Sequence, residues 1–324
     1  MSIGSEIGSN ASENTHSGTT GAERPTNGTP TSTEASPTVT KRIGRKLHHI
    51  SDILENVLKE IYSRGAKPKY PTGLTELDDL LWGLHKKELM IIGARTSHGK
   101  SSLALQFAIE LATQSCKVGY FSLEMSKEQM VERIIAYLCP INNRSLRHGI
   151  ATSQLKAKEG YLRTYLPTLK LLIDDEGGYT FDSIVEVCEH LNFDFIIVDY
   201  IQMISARGFK SKLDAIDEYV RKFKELCKLK NFGGIMVSQI NRSGVDDMGL
   251  EHLKGSGTLE EHPDTVLLLN WNKEDDEYEV RVEKQRHGER GIIKLDYAPE
   301  YFKFKSYVPK TERVNKKRSD IYDA

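Results

Sequence analysis

Nine residues constrain this chain more than any others. Gly93-Ala94-Arg95-Thr96-Ser97-His98-Gly99-Lys100-Ser101 stand between the apolar run Leu89-Met90-Ile91-Ile92 and Ser102-Leu103-Ala104-Leu105-Gln106-Phe107-Ala108, which reads as a helix. A strand, a glycine-bearing loop, Lys-Ser and a helix make the context that a phosphate-binding loop requires. In such a loop the backbone N–H groups and the positive end of the helix dipole converge on a phosphate. Lys100 adds a point charge able to bridge β- and γ-phosphates, and the Ser101 hydroxyl offers a ligand to Mg²⁺. Gly93 through Ser102 are therefore the candidate nucleotide-binding residues. The general pattern asks for Gly at position 94; here that position is Ala and the glycine comes one residue earlier.

Around this loop the chain reads as alternating strands and helices. A short helix is expected over 75–81, strands over 88–92, 118–123, 169–173, 195–198, 234–238 and 265–270, and helices over 100–115, 126 onward, 141–168, 180–191 and 214–230. Residues 278–284 and 291–297 read as a hairpin pair. Such alternation implies an α/β fold with a mostly parallel sheet covered by helices on both faces. Residues 1–40 are Ser, Thr, Gly, Asn, Glu and Pro with few large apolar side chains, a composition that cannot offset ordering entropy and predicts a disordered tail. Residues 41–71 then read as a linker helix, with Leu47, Ile50, Ile53, Leu54, Val57, Leu58 and Ile61 at helical spacing, followed by the stiff stretch Lys67-Pro68-Lys69-Tyr70-Pro71. The α/β body is expected over 72–308, with a charged tail over 309–324.

Three further strand ends carry chemistry. Asp199 follows the apolar run Phe195-Ile196-Ile197-Val198, where a carboxylate can support Mg²⁺ beside the loop hydroxyl, or simply cap a turn. Glu124 ends the strand 118–123, expected beside the loop strand, and is a candidate base for an attacking water or a solvated glutamate at a helix start. Gln239 ends a third strand, placed either to sense a γ-phosphate or to satisfy backbone groups. Lys284 and Arg286 stand at i and i+2 on one strand face, suited to an anion or to an exposed strand edge. The loop bearing Arg207, Lys210 and Lys212, and the one bearing Lys254, Gly255 and Gly257, are polar segments beyond strand ends that suit a nucleic-acid backbone or plain solvent.

Composition limits the partners. With 38% hydrophobic and 28% charged residues and a formal net charge of −1, the chain exerts no global pull on nucleic acid, so any such surface is local. Cys116, Cys139, Cys188 and Cys227 are widely spaced in or beside expected helices, which favours buried thiols in a reducing cytosol over zinc or disulfides. No apolar run approaches the ~20 residues that span a bilayer.

The blocks Pro71-Thr72-Gly73-Leu74-Thr75-Glu76-Leu77-Asp78, Gly93-Ala94-Arg95, Phe121-Ser122-Leu123-Glu124-Met125, Asp199-Tyr200-Ile201-Gln202, Ser238-Gln239-Ile240-Asn241-Arg242 and Lys284-Gln285-Arg286-His287-Gly288 occur in this order. Together they resemble the carboxy-terminal ATPase domain of DnaB-type replicative helicases, a RecA-like fold, collinearly from about Leu47 to Phe304. The resemblance accounts for the displaced glycine, because the family's loop begins in that way. It implies ATP and Mg²⁺ at Lys100 and Ser101, metal support from Asp199, water activation by Glu124, and coupling of nucleotide state to DNA loops by Gln239. It further implies that Lys284 and Arg286 act on the next subunit's site in a ring, typically a hexamer. Lys254, Gly255 and Gly257 match a loop that grips single-stranded DNA, and the helix over 47–63 matches a linker helix docking on an adjacent subunit. Primase, a loader or another replisome protein are the partners this implies, in the cytoplasm of a bacterial or phage-infected cell.

The chain departs from the family pattern at Thr96, where Pro is usual, at His98 and Ser101, and at Lys254-Gly255, where Arg-Glu is usual and phosphate contact is altered. A tail is expected where the family carries an amino-terminal helical domain. The expected activity is an ATP-dependent, ring-forming translocase on single-stranded DNA that unwinds duplex in replication. A RecA- or KaiC-like ATPase without unwinding, and a structural ATP-binding subunit, are the other readings.

Overall fold

The computed structural model describes residues 48–63, 65, 68–240, 261–272 and 277–309. The tail expected over 1–40, the loop cluster Lys254, Gly255 and Gly257, and the charged tail from 310 lie outside the described residues. The chain divides into two units, Met1–Ile61 and Tyr62–Ala324. In the first, helix α1 (Ile50–Ser63, running into the second unit) carries Ile53, Leu54, Val57 and Ile61 on an exposed apolar stripe.

The second unit is built on one nine-stranded sheet. Its elements in chain order are α2 (Thr75–Leu81), β1 (Leu89–Ala94), α3 (Lys100–Thr113), β2 (Val118–Ser122), α4 (Lys127–Leu138), α5 (Asn143–Arg147), α6 (Thr152–Tyr165), β3 (Leu171–Asp174), α7 (Phe181–His190), β4 (Phe195–Asp199), α8 (Lys212–Lys230), β5 (Gly233–Gln239), β6 (Thr265–Asn272), β7 (Glu277–Gln285), β8 (Gly291–Ala298) and β9 (Lys303–Ser306). The strand order is β3-β2-β4-β5-β1-β6-β7-β8-β9, parallel through β6 and antiparallel from β7 onward.

The two-residue period of a strand decides which side chains face the phosphate-loop helix. In β1, Met90, Ile92 and Ala94 pack in one core layer with α3, while Leu89 and Ile91 enter the other layer with α7 and α8. In β4, Phe195 and Ile197 join the α3 layer, and Ile196 and Val198 the opposite one. Continuing that alternation puts Asp199 on the α3 side, level with the first turn of the helix. Strands buried on both faces read as continuous apolar runs, which is why β1 and β4, buried at every residue, stand out in the sequence.

Four expectations need correction. Glu124's strand β2 does not neighbour β1; β4 and β5 lie between them, because α3 carries the chain across the sheet before it re-enters. The helical stretch over 141–168 is broken at 148–151, where Gly149 takes φ +67°. Lys212 is not in a loop but opens α8, whose cap Ser211 accepts a hydrogen bond from the Asp214 N–H at 3.0 Å. The terminal hairpin gains a further strand, β9. The Gln106 side chain of α3 holds it by donating to the Phe304 carbonyl at 3.1 Å and accepting from the Phe304 N–H at 2.8 Å.

The four cysteines are buried without disulfides. Burial pushes the Cys188 thiol up to about 12 and Cys227 higher still, so neither is a thiolate near neutrality. Among the described residues no helix is long and apolar enough to cross a membrane.

Candidate active site

The chain leaves β1 at Ala94, turns through Arg95–Gly99 and enters α3 at Lys100. Gly99 supplies the helix N-cap at φ +90°, and a Cβ there would stand 2.8 Å from the Phe304 ring. Only glycine meets both demands at once. No side chain caps α3 and its first turn holds no acidic residue. The opening N–H groups of a 14-residue helix therefore present their partial positive charge to whatever the loop encloses.

Four side chains converge there. The Lys100 ammonium lies 3.4 Å from Ser101 Oγ and 3.4 Å from Glu124 Oε2, 3.8 Å from Asp199 Oδ1 and 4.3 Å above the Tyr200 ring. Ser101 Oγ donates to Asp199 Oδ1 at 3.2 Å. Asp199 is 1% exposed, and its other oxygen accepts from the Tyr120 hydroxyl at 2.8 Å. Tyr120 is fully enclosed, and burial followed by the adjacent carboxylate pushes its pKa well above the ordinary value, so it remains a donor at every working pH. Glu124 differs from Asp199 in exposure, with 52% of its side chain accessible. It reaches the site although β2 lies three strands from β1, because β2 pairs directly with β4, with Ser122 opposite Asp199, and the Leu123 N–H extends that pairing to the Asp199 carbonyl at 2.8 Å.

Gln239 joins the same edge. It pairs with Ala94 in the sheet, and its amide donates to Thr96 Oγ1 of the phosphate loop at 2.9 Å. Thr96, a departure from the family pattern, thus gives the loop a side-chain acceptor that Pro lacks. His98 is buried edge-on to Trp271 at 6.1 Å. Arg207 and Lys210 are exposed beyond β4. A cleft of about 330 Å³ opens beside Glu124, with Arg133 stacked over Phe302 at 4.5 Å on its wall.

Lys284 and Arg286 are elsewhere. Gln285 pairs with Thr265, and Thr265 with Met90 at the start of β1, so both cations sit at the sheet edge opposite the phosphate loop. They share one acceptor: Lys284 Nζ donates to the Glu261 carbonyl at 2.8 Å and Arg286 Nη2 to the same oxygen at 3.3 Å. Behind them Asp264 forms a buried ion pair with Lys224, accepts from the Leu89 N–H at 2.8 Å and lies 3.6 Å from Arg286 Nη1.

The donor set fits a nucleoside triphosphate with Mg²⁺. One hydroxyl and one carboxylate are hard oxygen ligands of the kind Mg²⁺ takes alongside phosphates and water. The uncapped α3 terminus and the Gly99 cradle supply the anion site. Tyr120 is a participant that no motif assigned. Tyr120 carried a faint signal, being a hydroxyl inside an apolar strand.

Known proteins are similar to this chain in sequence and in fold. Replicative DNA helicase DnaC of Bacillus subtilis (strain 168) is 30% identical over 84% of this chain and 65% of its own length. Replicative DNA helicase DnaB of Geobacillus stearothermophilus is 31% identical over 79% of this chain and 61% of its own length. The chain therefore spans less than two thirds of these relatives. A solved DnaB-like replicative helicase, studied with its interactions with primase, aligns over 81% of this chain and 68% of its own with a TM-score of 0.71 and 25% identity. The fold is the RecA-like α/β ATPase architecture that these relatives imply. A family model described as the DnaB-like helicase C terminal domain matches residues 70–306, and this chain belongs to that family.

Proposed function

We propose that this chain is an ATP-driven, ring-forming translocase on single-stranded DNA that opens duplex during replication. The observation that carries the reading is the convergence of Lys100, Ser101, Glu124 and Asp199 at one helix terminus. Lys100 and the α3 N–H groups hold the terminal phosphates. Ser101 and Asp199 would hold a divalent cation, which would supply neutralisation of charge on those phosphates. Glu124 takes the proton of the attacking water as its oxygen bonds the γ-phosphorus and the bridging oxygen departs with ADP. Removing the donor that fixes Asp199 tests this directly. Tyr120→Phe is expected to raise the Mg²⁺ concentration for half-maximal hydrolysis by about tenfold. An unchanged Mg²⁺ titration contradicts the metal role of Asp199.

Lys284 and Arg286 lie on the edge away from their own phosphate loop, which supports their acting on the nucleotide of a neighbouring copy. Lys100→Ala and Arg286→Ala, each inactive alone, are then expected to recover hydrolysis when mixed, because some interfaces regain both groups. No recovery at any mixing ratio contradicts action in trans. A hexameric ring agrees with this reading, and the exposed stripe of α1 suits a contact between copies. Arg207, Lys210 and Lys212, with the loop of Lys254, Gly255 and Gly257, would meet the phosphates of single-stranded DNA. Primase or a loader would be further partners.

A further inference from the structure

We propose that Gln202 is a positioning residue that couples the basic segment 207–212 to the phosphate loop by clamping the main chain of Gln239. The inference rests on the translocase reading above. Gln202 stands in the 3₁₀ turn Ile201–Met203 that follows β4, five residues before Arg207. Its amide nitrogen donates to Ser238 Oγ at 2.8 Å and to the Gln239 carbonyl at 3.4 Å, and its amide oxygen accepts from the Gln239 N–H at 3.2 Å. The Gln239 side chain in turn donates to Thr96 at 2.9 Å.

A primary amide carries a donor and an acceptor side by side, so one side chain can engage both main-chain groups of a single residue as a neighbouring strand would. β5 ends at Gln239, still paired with Ala94 of β1, while its pairing with β4 stops at Met236; on that open side the clamp takes the place of the ladder. A displacement of the 207–212 segment reaches Gln202 through a short turn, shifts Gln239 with it, and so alters the contact with the loop that holds the nucleotide. The hydrogen bonds of Gln202 go to Ser238 and Gln239, not to the phosphate loop, Ser101 or Asp199. Its effect is therefore expected in the coupling between DNA and hydrolysis rather than in nucleotide affinity.

The test compares steady-state ATP hydrolysis by the full chain with and without an unstructured thymidine-rich single strand at low salt. Three proteins are compared: wild type, Gln202→Met and Gln202→Glu. Met matches the volume and removes all three bonds; Glu keeps the acceptor facing the Gln239 N–H. Gln202→Met is expected to lose about tenfold of the DNA-stimulated kcat while its KM for ATP moves less than about twofold, with Glu intermediate. Equal stimulation of wild type and Gln202→Met overturns the clamp. A Gln202→Met protein whose melting temperature and DNA-independent kcat and KM all deteriorate together overturns it too, because that marks a merely structural residue. A wild type indifferent to DNA instead overturns the translocase reading on which the inference stands.

Discussion

Glu124→Gln is expected to lower ATP turnover by about 10²–10⁴-fold while nucleotide affinity changes by less than about tenfold. The amide preserves shape and the contact with Lys100, whose ammonium lies 3.4 Å away, but cannot accept a proton from water at neutral pH. Stability is not the confounding factor. The Lys100–Glu124 pair is half exposed on the Glu124 side, and such pairs contribute about 0–1 kcal/mol. The affinity should survive because Lys100, Ser101 and the α3 terminus are untouched. A turnover assay paired with fluorescent-nucleotide binding separates the two quantities. Intact turnover would remove Glu124 from the reaction.

Lys224→Met is expected to destabilise the fold by about 3 kcal/mol or more. The Lys224 ammonium bonds the Lys87 carbonyl at 2.9 Å and pairs with Asp264, whose side chain is 3% exposed. Without Lys224 the Asp264 carboxylate keeps the Leu89 N–H and the more distant Arg286, an incomplete set for a buried charge. The contrast with Arg163–Glu159 on α6 is instructive. That pair is also in close contact, at 2.7 Å, but is well exposed and worth about 0.3–0.5 kcal/mol. Because Asp264 also accepts from the Arg286 N–H through its carbonyl, the loss should extend to the segment that carries Lys284 and Arg286. Urea unfolding of the single variant measures it; a shift below about 1 kcal/mol would show that the pair is not essential to the core.

Much of this site is legible in the sequence because its parts are local. The loop, its Lys-Ser and the helix that follows are contiguous, and a strand apolar on both faces announces both its own position and the carboxylate at its end. Hence Lys100, Ser101 and Asp199 stand out as candidates from the residues alone. What fails is non-local. The neighbour of β1 depends on how far α3 carries the chain, which periodicity does not record, so Glu124 was expected one strand away rather than three. Tyr120 shows its role only once β2 and β4 are in register, with Tyr120 opposite Ile197 and Ser122 opposite Asp199. Lys224 and Asp264 are 40 residues apart and meet under the sheet. β9 is four residues with one buried aromatic, too short to show a period, and owes its place to Gln106. The start of α8 was readable: Ser211 and Asp214 have the spacing of a cap.

The central claim joins hydrolysis at the Lys100–Glu124–Asp199 cluster to single-stranded DNA, and one measurement meets it directly. Steady-state ATP hydrolysis is recorded with and without single-stranded DNA, first at low salt and then at increasing salt. The account predicts clear stimulation that fades as salt rises, because the contacts are to phosphate. Hydrolysis at the same rate with and without DNA at every salt concentration would contradict it and leave a switch ATPase in its place.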